Sequence, residues 1–115
     1  MGNVIYDKSF KYAVEIVKLS KEIRKVGEYE LAKQLLRCST AIGANISESE
    51  YAQSKADFIT KLTIALKETA ESHYWIKLLT ETGYIEEKIS KDLTYKVEEI
   101  IKILVASIKT AKERT

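Results

Sequence analysis

The sequence predicts an all-α protein, an antiparallel up-down-up-down four-helix bundle. Three observations carry that prediction. The 115 residues include no proline and only four glycines, so long helices meet no covalent obstacle. Apolar residues recur three and four apart through four separate stretches. The connections between those stretches are short, which favours antiparallel neighbours crossing at ~20°.

The first helix is expected over about residues 9–26. Phe10, Ala13, Val14, Val17 and Ile23, with Ile16 and Leu19 beside them, form its apolar face, and Gly27 is a natural C-terminal stop. The second is expected over about residues 29–50. Leu31, Leu35, Cys38, Ile42, Asn45 and Ser49 make one stripe; Ala32, Leu36, Ser39, Gly43 and Ile46 make another beside it. Many of these side chains are small, so a neighbouring backbone can approach closely.

Ser54 is a good N-cap for a third helix over about 55–82, with Asp57 three residues on in an acidic version of the capping box. Its stripe is Phe58, Leu62, Ala65, Thr69, Ser72, Ile76 and Leu79, and Gly83 ends it. Asp57 and Lys61 are spaced to pair on the outer face. The fourth helix is expected over about 91–112, capped by Ser90, with Leu93, Val97, Ile101, Leu104, Ile108 and Ala111 as its stripe, widened by Ile100 and Val105. The chain reads as one domain, 1–115, with no sequence repeat.

Composition narrows the function classes. Hydrophobic residues are 45% and charged residues 31%, a globular balance. Eight basic and seven acidic groups lie in the first fifty residues, eleven and ten in the rest, so no tail or half is strongly basic. Cys38 is the only cysteine, which excludes an intrachain disulfide and suits a small buried thiol. The N-terminal stretch has the apolar run of neither a signal peptide nor a membrane span. Tyr6 stands where a Met-Gly acylation signal needs Ser or Thr. A cytoplasmic location is expected.

Catalytic and metal chemistry find little purchase. A di-metal bundle needs Glu-x-x-His pairs, but Ala70 stands three residues before the lone His73. Zinc would lack ligands beyond His73 and Cys38. A Cys38–His73 dyad would need the two side by side; an antiparallel register that sets Cys38 near Ala65 and Leu66 keeps them two turns apart. No phosphate-binding glycine loop is present. The expectation is a non-enzyme with no metal and no cofactor.

Three surface features remain. Lys11, Lys18 and Lys25 recur every seven residues on the first helix, with Lys8, Lys21 and Arg24 beside them and Lys33 and Arg37 on the second. Such a stripe contacts phosphates without reading bases; the plainer reading is a solvated face interrupted by Glu15 and Glu22. Ile64, Trp75 and Leu78 lie off the core stripe of the third helix, with Tyr74 and Tyr84 near, as a candidate oligomer interface; the plainer reading is cover from within the monomer. Asn45 sits on an apolar stripe, where its amide needs a partner. Either it has a capping or register role, or it organises the Ser47–Glu50 corner for a partner.

The order of residues through the second and third helices also resembles a known family. The relevant runs are Gln34-Leu35-Leu36-Arg37, then Ser39-Thr40-Ala41-Ile42-Gly43-Ala44-Asn45-Ile46-Ser47-Glu48, then Ser54-Lys55-Ala56-Asp57-Phe58 and Leu62-Thr63-Ile64-Ala65. They are similar to the hallmark of four-helix bundle proteins encoded in intervening sequences of bacterial 23S rRNA genes. Gly83-Tyr84-Ile85 resembles that family's Gly-Tyr-Ile ending, whereas Ser47-Glu48-Ser49 replaces its Ala-Glu-Gly. The resemblance implies a homo-oligomer, commonly a pentamer. It extends to accessory proteins of diversity-generating retroelements, which bind nucleic acid and a reverse transcriptase. Two readings follow. One is an oligomeric bundle binding RNA or DNA through its basic face. The other is a protein-binding scaffold or accessory subunit without nucleic-acid contact.

Overall fold

In a computed structural model that describes residues 3–114, four helices follow one another: α1 (Asn3–Lys25), α2 (Tyr29–Ser49), α3 (Lys55–Glu81) and α4 (Glu87–Glu113). Met1 and Gly2, on which the acylation reading falls, and Thr115 lie outside the described residues. The helices form an antiparallel up-down-up-down bundle, 50 × 22 × 19 Å, in which α1 meets α2, α2 meets α3, α3 meets α4 and α4 returns to α1.

Each turn follows from local chemistry. Gly27 and Gly83 take positive φ values of 96° and 87°, the left-handed conformation that lets a helix stop and reverse. Glu28 caps α2 by accepting the Leu31 N–H at 3.0 Å. Ser54 accepts the Asp57 N–H at 3.0 Å, while Asp57 reaches back to the Gln53 N–H at 3.2 Å, one residue before the cap. α4 begins four residues earlier than Ser90 predicts. Its N-cap is Glu86, which makes no side-chain cap bond, and the Ser90 N–H donates to the Glu86 carbonyl as an ordinary first-turn residue.

The core stripes of α2, α3 and α4 are close to those predicted. Ala32, Leu35, Cys38, Ser39, Ile42, Ile46 and Ser49 are buried on α2, and Leu62, Ala65, Thr69, Ser72, Ile76 and Leu79 on α3. Leu93, Val97, Ile100, Leu104 and Ile108 are buried on α4, while Val105 is exposed. Helix α1 is rotated from its prediction. It buries Ile5, Ser9, Tyr12, Ile16, Ser20 and Ile23, whereas Phe10 and Val14 are 55% and 39% exposed. The buried serines satisfy themselves: Ser9 donates to the Tyr6 carbonyl at 2.8 Å and Ser20 to the Val17 carbonyl at 3.1 Å.

Small residues set the closest approaches. A Cβ on Gly43 would lie 3.3 Å from the Ser9 hydroxyl, so Gly43 faces α1. Between α2 and α3 the contact is polar: the Ser39 and Ser72 hydroxyls are 2.7 Å apart, and Tyr12 of α1 joins Ser72 at 2.7 Å. This three-hydroxyl chain ties three helices together inside an apolar core.

Candidate functional site

Positive charge on α1 forms the site best defined by the structure. Lys11, Lys18, Lys21 and Arg24 are exposed and take part in no salt bridge among the described residues. Lys33, exposed on α2 across the Gly27 turn, shares that state. The acidic residues that interrupt the stripe are engaged by other cations. Lys96 of α4 holds Glu15 at 2.8 Å, and Lys25 holds Glu22 at 3.2 Å. The stripe therefore keeps most of its charge; Lys25, and Lys8 through Glu99 at 3.3 Å, are its partly neutralised members on α1.

Arg37 stands apart from that group. Its guanidinium donates to Glu71 and, at 3.5 Å, to Glu68, bridging α2 to α3. The Glu71 carboxylate also accepts the Trp75 indole N–H at 3.0 Å. The indole and then the guanidinium hold the Glu71 carboxyl below its ordinary range. Arg37 is thus a structural clasp on the α2–α3 seam, held by two carboxylates.

The candidate interface lies on the same seam. Ile64, Trp75 and Leu78 are each half-buried, and Trp75 packs against the core, with Tyr74 edge-on to it at 5.0 Å. Further bare apolar surface is on α1, where Phe10 and Val14 are exposed. Phe10 stacks on Tyr6 with ring centroids 6.0 Å apart, and Val14 lies one turn further on. Beside them runs a groove of about 640 Å³ between α1 and α4, floored by Phe10, Tyr12, Val14 and Ile100. Hydropathy alone hid this surface, because it turned Phe10 and Val14 inward; the signal that reveals it is the polar-looking but buried Ser9–Tyr12–Ser20 series.

The remaining candidates have local roles. The Asn45 amide donates to the Ala41 carbonyl one turn back at 2.9 Å. Glu48, in the Ser47–Glu50 corner, accepts from Lys61 at 2.9 Å, so Lys61 ties the corner to α3 instead of pairing with Asp57. Cys38 is buried, its Sγ 3.5 Å from the Leu35 carbonyl, and burial pushes its thiol up to about 11, away from a reactive thiolate.

The α2–α3 register differs from expectation. Ser39 bonds Ser72, which brings Cys38 level with the His73 region, not with Ala65. Turn bonds from Tyr51 and Ala52 back to Glu48 and Ser49 carry the chain past the end of α2 before it reverses. Even so, His73 faces α4, lining a shallow cleft with Lys77, Glu98 and Tyr95, and no hydrogen bond joins it to Cys38 among the described residues. No group of three or more His, Cys, Asp or Glu side chains there is arranged to hold a metal, and no helix there is long and apolar enough to cross a membrane.

Fold and surface together define an antiparallel four-helix bundle with a cationic outer helix and a clasped α2–α3 seam. The chain belongs to the family of 23S rRNA-intervening sequence proteins, whose model matches residues 2–106. It is also similar to a solved structure, a protein of unknown function from the S23 ribosomal protein family of Bacteroides thetaiotaomicron. The two are 47% identical with a TM-score of 0.89, over 91% of this chain and 98% of that one. No curated protein matches it.

Proposed function

We propose that this protein is a non-enzymatic, cytoplasmic homo-oligomer that binds RNA or DNA through α1 without strong sequence preference. The observation that carries the reading is the set Lys11, Lys18, Lys21 and Arg24, exposed and free of ion pairs among the described residues, while Glu15 and Glu22 are engaged by other lysines. Flexible ammonium groups along one helix face suit a regular line of phosphates, and counterion release supplies the affinity. One helix offers few contacts, so assembly matters: a ring presents the stripe once per subunit and multiplies a weak site. The half-buried Ile64, Trp75 and Leu78 supply apolar surface for that assembly. A pentamer is the subunit number that the family resemblance favours. Arg37 is assigned to the fold and not to the ligand.

Sizing chromatography with light scattering and absorbance at two wavelengths tests both halves at once. The proposal expects a mass several times the 13.1 kDa of one chain and co-purified nucleic acid that high salt removes. A monomer free of nucleic acid, with no binding to added RNA or DNA at low salt, would refute it. A pull-down dominated by one protein and devoid of nucleic acid would favour the scaffold reading instead.

A further inference from the structure

The groove between α1 and α4 adds a second kind of chemistry to the lysine stripe. Phe10 is 55% exposed, an unusual state for a phenylalanine in mid-helix, and its ring is stacked on Tyr6 at an interplanar angle of 24°. That i,i+4 stack holds the ring in place on its Tyr6 side and leaves the rest open to solvent. Around the groove, charges cancel: Lys8 pairs with Glu99 at 3.3 Å, Lys96 pairs with Glu15 at 2.8 Å, and Asp7 stands on the rim one turn before Lys11. An apolar floor with a charge-balanced rim suits a flat, uncharged group better than a phosphate. Two cations without an ion pair among the described residues follow along the same helix, Lys11 on the groove rim and Lys18 two turns beyond it.

We infer that this face takes single-stranded nucleic acid in preference to duplex, with an unpaired base stacked on Phe10 in the α1–α4 groove and the flanking phosphates on Lys11 and Lys18. The inference rests on the nucleic-acid reading above and names its substrate class. Bases inside a duplex are already stacked on one another, so an exposed aromatic ring gains nothing from them; an unpaired base offers its π-face freely. The groove, at about 640 Å³, gives such a base room beside the ring. A neutral base and anionic phosphates together match the sequence of apolar and cationic positions, Phe10, Lys11, Val14, Lys18, along the outer face.

Fluorescence anisotropy with a 5′-labelled oligouridylate and an RNA duplex of equal length tests the inference. The probes are titrated with the wild type, Phe10→Ala, Phe10→Leu, Phe10→Tyr and a Lys18→Glu/Lys21→Glu variant. Phe10 is exposed, so its variants should keep the helical circular dichroism of the wild type. The expected result is tighter binding of the single strand by the wild type. Phe10→Ala and Phe10→Leu should weaken it about 10-fold without affecting duplex binding, and Phe10→Tyr should retain it. The double charge reversal should weaken both probes. If the Phe10 variants bind the single strand like the wild type while charge reversal weakens both probes, the stacking site is refuted and the lysine reading stands. If Phe10→Ala lowers the sedimenting mass and leaves RNA affinity unchanged, the face is a contact between copies and the inference fails. If the wild type binds neither probe, both readings fail together.

Discussion

The Ser72 hydroxyl lies 2.7 Å from that of Tyr12 and 2.7 Å from that of Ser39, so one serine on α3 anchors both α1 and α2. Tyr12 is 1% exposed, and burial pushes its phenol well above the ordinary tyrosine value, so it stays neutral and hydrogen-bonded at any working pH. Removing Ser72 leaves two buried hydroxyls short of a partner. Ser72→Ala should therefore destabilise the bundle by about 1–3 kcal/mol in urea denaturation. Tyr12→Phe leaves Ser72 and Ser39 paired and should cost about 1 kcal/mol. Coupling between the two changes in a double-mutant cycle would show the chain acting as a unit.

That hydroxyl chain also explains how far the sequence could be read. Six of the seven residues predicted for the α3 stripe are buried, because aliphatic and small residues keep to one face there. On α1 the buried positions include Ser9, Tyr12 and Ser20, whose hydroxyls find helix carbonyls or Ser72, so a hydropathy reading turns the helix toward Phe10 and Val14 instead. The lysine stripe was legible from spacing alone. The pairing of Arg37 with Glu68 and Glu71 was not, since it joins residues more than thirty positions apart.

The Arg37–Glu71–Trp75 clasp should make stability depend on acid. The folded-state pKa of Glu71 is depressed, first by the Trp75 indole and then by the Arg37 guanidinium. A depressed carboxyl contributes stability that is whole above its unfolded value, near 4.5, and is lost as pH falls through the lower folded value. Trp75→Phe and Arg37→Ala should each flatten thermal stability against pH below that point. Arg37→Ala should cost about 0.2–1 kcal/mol at neutral pH, as exposed pairs do, and should leave RNA affinity nearly unchanged.

Gly43 sets the α1–α2 distance. Any side chain there meets Ser9, whose hydroxyl would lie 3.3 Å from the new Cβ. Leucine is the better helix former by about 1 kcal/mol, so propensity alone predicts that Gly43→Leu stabilises α2. Overpacking against α1 should outweigh that gain, for a net loss of about 1–2 kcal/mol in denaturant midpoint experiments. A stabilised variant would mean that α1 can step away freely.

Cys38 should behave as a core residue. Its thiol, buried and raised to about 11, should resist a disulfide-exchange reagent in the native protein and react at a rate that tracks global opening. Rapid stoichiometric labelling under native conditions would contradict the packing described around it.

The α1 cation stripe carries the central claim, and the salt dependence of RNA binding tests it most directly. The logarithm of affinity for an oligouridylate should fall linearly with the logarithm of salt concentration, each phosphate contact adding about 0.7 to the slope. Replacing Lys11, Lys18 and Lys21 by glutamate should weaken binding strongly and lower the slope by about 2 per engaged stripe. An affinity and slope unchanged by the triple replacement would contradict the account.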